Sequence, residues 1–230
     1  MRLLALDTST EYLSLALHLD GPVLTRELHA GQTHSQRILP LLRELLDEAG
    51  LAMTDLDGIA FGAGPGSFTG LRIGCGVAQG LAFGAGLPVV GVCTLLALAE
   101  ASGADQIIAC LDARMGEVYH AVYRRQGDAW HEVIPPGLYK PEAVPAVDGA
   151  GWVGIGSGWA SYADELQAVY SGQVLSTQLD RYPRAQEIVT LALPAFAAGE
   201  GRPAAEAAPL YIRNKVALKT SERAKMAGLK

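Results

Sequence analysis

Between Gly58 and Ala99 the chain carries one charged side chain, Arg72. A stretch that poor in charge either crosses a membrane or runs through the middle of a packed core. A spanning helix needs about 20 consecutive apolar residues. Here Pro65, Pro88 and the glycines around them break the run. The punctuation predicts a strand at 58–63, a helix at 68–84, a strand at 87–93 and a short helix at 94–102. No span survives, and the stretch reads as the centre of a soluble α/β protein. Half of the 230 residues are hydrophobic and 18% are charged, enough apolar material for a core and too little charge for a disordered chain. That length suits one large domain or two small ones.

The flanking sequence extends this unit. Residues 2–7 (RLLALD) read as a buried strand ending at Asp7, and 12–18 and 22–29 as two more strands after turns. Thr33-His34-Ser35-Gln36 has the spacing of a capping box. Behind it, Ile38, Leu41, Leu42, Leu45, Leu46 and Ala49 fall on one face of a helix that Gly50 closes, with Pro40 shaping its early part. After Gly103 the pattern restarts with strands at 106–111, 117–123 and 129–134. A Pro/Gly-rich loop, a strand at 151–155, a helix near 160–168 and a helix at 185–198 follow. Two units that both open with three strands point to a duplicated mixed-sheet architecture. We expect a first lobe at 1–104, completed by the helix 185–198, and a second lobe at 105–184. Residues 199–230 read as a linker and a basic tail.

Charge and cysteine content narrow the function. The net charge is −6, but residues 213–230 hold six Lys or Arg against Glu222 alone, so the remainder is strongly acidic. An acidic body does not attract nucleic acid; the tail or a partner would have to supply that contact. The tail reads either as a tRNA or acidic-partner contact or as a solvated end. Cys75, Cys93 and Cys110 form no CxxC pair, which points to buried reduced thiols and a cytoplasmic chain. Asp7 comes too early for a signal-peptide core.

Several motifs carry chemistry, each with a plainer alternative. Gly62–Arg72 (GAGPGSFTGLR) leaves a strand and opens a helix, where backbone N–H groups could hold an anion. It lacks the Gly-Lys-Ser/Thr of a P-loop and the third glycine of a dinucleotide fingerprint, so tight strand–helix packing explains it equally. Gly70 and Gly74, then Gly76, Gly80 and Gly84, recur at four-residue spacing. Interior glycines cost about 1 kcal/mol each relative to alanine. They serve close approach either to a partner helix or to the chain's own sheet. Asp7-Thr8-Ser9-Thr10 and Asp112–Glu117 occupy equivalent turns, where a carboxylate could position phosphate-bound metal or simply cap its own turn. Gly154-Ile155-Gly156-Ser157-Gly158 suits either an adenosine or a tight turn. The five histidines hold no HxxxH or HExxH pair, and no GxSxG elbow occurs.

Four segments together carry a family resemblance: LLALDTST at 3–10, GPGSFTGLRIG at 64–74, LDARMGEVY at 111–119 and PLYIR at 209–213. In order and over the whole chain, they resemble the TsaB (YeaZ) family of bacterial tRNA threonylcarbamoyladenosine biosynthesis. The resemblance implies the two-lobed actin/sugar-kinase/Hsp70-like fold, with duplicated βββαβαβα units and a reduced second lobe. It implies a non-catalytic subunit that pairs with TsaD through its N-terminal lobe and activates threonylcarbamoyl transfer to tRNA. TsaE would join that pair, tRNA would be reached through the complex, and a homodimer could form on the same surface. TsaD holds metal through an HxxxH motif; the matching place here reads Cys93-Thr94-Leu95-Leu96-Ala97, so no metal is expected.

For sites, the resemblance implies no catalytic residue and no required cofactor. It leaves a weak, degenerate ATP/ADP site at Asp7, Ser9, Asp112, Gly156 and Gly158. The partner surface is assigned to Phe68, Leu71, Arg72, Gly74, Cys75, Val77, Ala78 and Leu81 on the glycine-rich helix, with Leu42 and Leu45 on the helix before it. Rival readings are an active ATPase or kinase of the same fold and a glycoprotease-like peptidase.

Overall fold

The computed structural model describes residues 1–213. Its strands are β1 (Arg2–Asp7), β2 (Tyr12–Leu19), β3 (Val23–His29), β4 (Gly58–Gly64), β5 (Val89–Cys93), β6 (Gln106–Asp112), β7 (Val118–Gln126), β8 (Ala129–Tyr139), β9 (Trp152–Ile155) and β10 (Val174–Gln178). The helices are α1 (His34–Ala49), α2 (Phe68–Ala85), α3 (Thr94–Ala101), α4 (Ser157–Ser161), α5 (Ala163–Val169) and α6 (Ala185–Ala197). The basic tail beyond Arg213 lies outside the described residues.

The duplication is written in the sheets. One runs β3-β2-β1-β4-β5 and the other β8-β7-β6-β9-β10. In each, three antiparallel strands are followed by two parallel ones, with the first strand of the unit at the centre. The expected two-lobed α/β fold is present. The second unit is reduced: a single 3₁₀ turn at Pro141–Ala143 stands where the first unit has α1.

Burial explains why these segments became central strands. Leu3, Leu4, Ala5 and Leu6 of β1, and Ile59, Ala60 and Phe61 of β4, are all but fully buried. Strands covered on both faces need apolar side chains at every position rather than every second one. One face packs on α1 and α2 through Leu4, Leu6, Leu45 and Ala78. The other packs on α6 through Leu3, Ala5, Ile188 and Val189. The last helix of the first unit crosses over: Leu95, Leu98 and Ala99 of α3 enter the core of the second sheet, while Ala97 stays with the first. The short α3 thus belongs to both cores.

Four local expectations are corrected. Thr33 makes no side-chain cap to α1; its hydroxyl donates back to the Ala30 carbonyl at 2.7 Å, which closes a turn instead. The Pro/Gly loop after residue 134 is strand: β8 continues through Pro135, Pro136 and Gly137 with irregular register against β7. It can do so because β8 is an edge strand and both prolines fall in the irregular stretch between the Val122–Ile134 and His120–Gly137 pairs, outside the ladder. The helix near 160–168 is two short helices that meet at Tyr162. The fifth strand of the second sheet, β10, had no counterpart in the sequence reading.

Candidate interlobe cleft and outer face of the second helix

A cleft of about 1,020 Å³ opens between the lobes. Its walls are the turn after β1, the N-terminus of α2, the turn after β6, the start of α4 and the segment 210–213. This is where the two equivalent turns of the duplicated units face each other.

Neither turn offers itself to a ligand in the way its sequence allowed. Asp7 is buried and does not line the cleft. Its Oδ1 accepts from the Ser9 amide at 3.0 Å and the Ser9 hydroxyl at 2.9 Å. Its Oδ2 has no hydrogen-bond partner among the described residues and points at Gly62, where any Cβ would collide with it. Burial pushes the Asp7 carboxyl up to about 7, against which the two Ser9 hydrogen bonds pull weakly. Ser9 does line the cleft, with its hydroxyl already committed to Asp7.

The second turn is closed in the same manner. The Asp112 carboxylate faces the cleft but accepts from the Arg114 amide at 2.8 Å and the Arg114 guanidinium at 3.0 Å. The Ala113 amide goes to the Glu117 carbonyl and the Glu117 amide to the Arg114 carbonyl. Arg114 and Met115 take left-handed backbone conformations at φ 62° and 59°, and the carbonyls of Ala113 and Arg114 accept from the Arg213 guanidinium.

Gly156 and Gly158 do not line the cleft. Gly156 sits at φ +105°, and a Cβ there would strike the Cys110 carbonyl; one on Gly158 would lie 2.8 Å from Cys110 Cβ. Both glycines seat α4 on β6. Of the five residues assigned to a nucleotide, Ser9 and Asp112 reach the cleft and Asp7, Gly156 and Gly158 do not. Among the described residues no group of three or more His, Cys, Asp or Glu is placed to hold a metal.

The partner-surface assignment divides by helical phase. Leu71, Gly74, Cys75 and Ala78 of α2, and Leu42 and Leu45 of α1, are buried in the chain's own core. They are corrected to packing residues. The reason is geometric: the start of α2 lies against the turn after β1. A Cβ on Gly70 would strike the Thr8 carbonyl, one on Gly74 would lie 2.5 Å from Thr8 Oγ1, and that hydroxyl donates to the Gly70 carbonyl at 2.7 Å. Gly76, Gly80 and Gly84 are different, since among the described residues nothing lies within 4 Å of a Cβ on any of them. The glycine series therefore serves two purposes, close packing on the inner face and a shallow outer face.

That outer face carries Phe68 and Arg72 from the assigned set, with Val77 and Leu81 half-buried along its flanks. It also holds Phe83, 81% exposed, and adjoins α1, whose Leu39 is 51% exposed. Sequence reading missed both. The signal was available for Phe83, which lies three residues after Gly80 and seven after Gly76 on one side of the helix. Arg72 is already engaged: its guanidinium stacks 3.8 Å over the Phe68 ring and donates to the Tyr211 hydroxyl at 3.0 Å.

Comparison with known proteins places this arrangement. A family model described as TsaD, tRNA N6-adenosine threonylcarbamoyltransferase, matches residues 28–218. The tRNA threonylcarbamoyladenosine biosynthesis protein TsaB of Escherichia coli is 42% identical, covering 95% of this chain and 97% of its own length. The chain belongs to the TsaB (YeaZ) family. The Haemophilus influenzae TsaB is 38% identical, covering 95% of this chain and 96% of its own. Among solved structures, YeaZ from Pseudomonas aeruginosa superposes with a TM-score of 0.85 at 41% identity, over 91% of this chain and 99% of that one.

Proposed function

We propose that the chain takes part in tRNA threonylcarbamoyladenosine biosynthesis as a non-catalytic subunit, pairing with TsaD through the outer face of α2 and the adjoining part of α1. The role in that modification follows from TsaB relatives matched over nearly their full length. The observation that carries the non-catalytic part is the state of the two turns. A kinase or ATPase of this fold needs free carboxylates in the cleft, whereas Asp7 is buried against Gly62 and Asp112 is neutralised by Arg114. Any binding of ATP or ADP is accordingly weak and serves no turnover.

The outer face of α2 supports the pairing. It is smooth, almost uncharged and apolar at its end, and its open glycines let another helix approach backbone to backbone. A second copy of the chain would use the same face. TsaE joins once TsaD is in place, and tRNA is reached through the complex. Among the described residues no helix is long and apolar enough to cross a membrane. The proposed work on tRNA puts the subunit in the cytoplasm.

An omission assay tests this reading. TsaD, TsaE, a synthase for the threonylcarbamoyl-adenylate, tRNA, threonine, bicarbonate and ATP are combined with and without this chain, and modified adenosine is read by mass spectrometry. Product only in the complete mixture, and none when TsaD is left out, is the expected result. Equal product without this chain overturns it.

A further inference from the structure

The segment Pro209–Arg213 runs across the mouth of the cleft and is moored at four places. The Leu210 amide donates to the Ala63 carbonyl at the end of β4, at 2.7 Å. Gly64 makes room for that step, since a Cβ there would lie 2.9 Å from the Leu210 carbonyl. Tyr211 points the other way, its ring 5.6 Å from Phe68 and its hydroxyl on Arg72, both on the exposed edge of α2. Ile212 turns inward and packs in the core of the second sheet. Arg213 then donates to the Ala113 carbonyl at 2.9 Å and pairs with Glu117 at 2.8 Å, across the turn that follows β6.

We propose that residues 209–213 are a strap that sets the spacing of the two lobes and couples the outer edge of α2 to the turn Asp112–Glu117. Alternate residues of an extended segment point to opposite sides, so one short strap grips α2 with Tyr211 and the second lobe with Ile212. The first lobe is held through backbone at Leu210. A contact that shifts Arg72 or Phe68 pulls on Tyr211, and the tension reaches Arg213 two residues later. The consequence for a partner depends on α2 being the partner face; the coupling itself does not.

Hydrogen exchange on the full-length chain tests the coupling without any partner. Four proteins are compared: wild type, Arg72→Ala, Arg213→Ala and the double variant. In wild type the Leu210 amide is expected to exchange at least about 100-fold more slowly than in a free peptide. Each single variant is expected to speed exchange at the Ala113 and Glu117 amides about tenfold. The double variant should exceed the larger single effect by less than twofold, because both cut the same connection. Amides of α6 should not change, which separates strap release from unfolding. Tyr211→Phe removes only the hydroxyl and keeps the ring, so it should act in the same direction as Arg72→Ala with the fold intact. Unprotected Leu210 in wild type, no response of the turn to Arg72→Ala and Tyr211→Phe, or single effects that multiply in the double variant would each overturn the proposal.

Discussion

The imidazole Nε2 of His120 lies 2.7 Å from the hydroxyl of Tyr170, whose own hydrogen goes to the Pro145 carbonyl at 2.8 Å. The tyrosine proton is thereby spent, so His120 must donate from Nε2. Its Nδ1 is left buried, unprotonated and, among the described residues, without a partner. Burial lowers the His120 pKa from 6.5 to about 4. Asp7 is the opposite case, raised by burial from 3.8 to about 7.

These two groups pull stability in opposite directions with pH. For His120 the unfolded chain takes up a proton below pH 6.5 and the folded chain does not, so its linkage destabilises as pH falls from 6.5 to 4. For Asp7 the unfolded chain ionises above pH 3.8 while the folded chain stays protonated to about 7, so its linkage destabilises as pH rises through that window. The wild-type profile between pH 4.5 and 6.5 is expected to be nearly flat. Asp7→Asn should make stability rise with pH over that window, and His120→Gln should make it fall. Urea midpoints at four pH values check both signs; parallel profiles in all three proteins contradict the assignment.

The two classes of glycine on α2 should answer substitution with opposite signs. Gly80→Ala adds a methyl in open space and restricts the unfolded chain, so it is expected to stabilise by about 0.5–1 kcal/mol. Gly70→Ala drives a methyl into the Thr8 carbonyl and should cost roughly 1–3 kcal/mol. Thermal unfolding of the pair is sufficient. Destabilisation by both variants to the same degree contradicts the division.

Phe83 should matter to partners and not to the fold. Its side chain is 81% exposed, so Phe83→Asp is expected to leave the melting temperature within about 2 °C of wild type, since surface changes usually stay within ±0.5 kcal/mol. On the proposed reading the same variant weakens TsaD binding at least about tenfold, as does Gly80→Leu, measured by calorimetry. Gly74→Leu is no test of the interface, because Gly74 is packed against Thr8.

ATP hydrolysis separates the accessory subunit from its rival. The purified chain is expected to show no saturable ATPase activity. Any weak nucleotide affinity should be unchanged by Asp7→Asn, since Asp7 does not line the cleft. Saturable hydrolysis lost in that variant would favour an active enzyme.

What sequence alone determined was whatever depends on neighbours along the chain. The stretch from Gly58 to Ala99, with Arg72 its single charge, specified β4, α2, β5 and α3 in order, because glycine and proline end elements locally and apolar runs must be buried. The restart after Gly103 emerged as a second sheet of the same topology, and GPGSFTGLRIG with its companions marked the family before any coordinate. Position in space was decided by tertiary structure. Gly74 and Gly76 look alike in sequence; among the described residues one meets Thr8 and the other meets nothing, since which side of α2 faces the sheet is set by the turn after β1. Asp7 and Asp112 both sit in polar turns, yet one is buried behind Gly62 and the other is held at the cleft by Arg114. The strap at 209–213 joins residues 96 to 147 positions apart, Arg213 to Glu117 and Leu210 to Ala63. No local signal records such pairings, because they exist only once both lobes have folded.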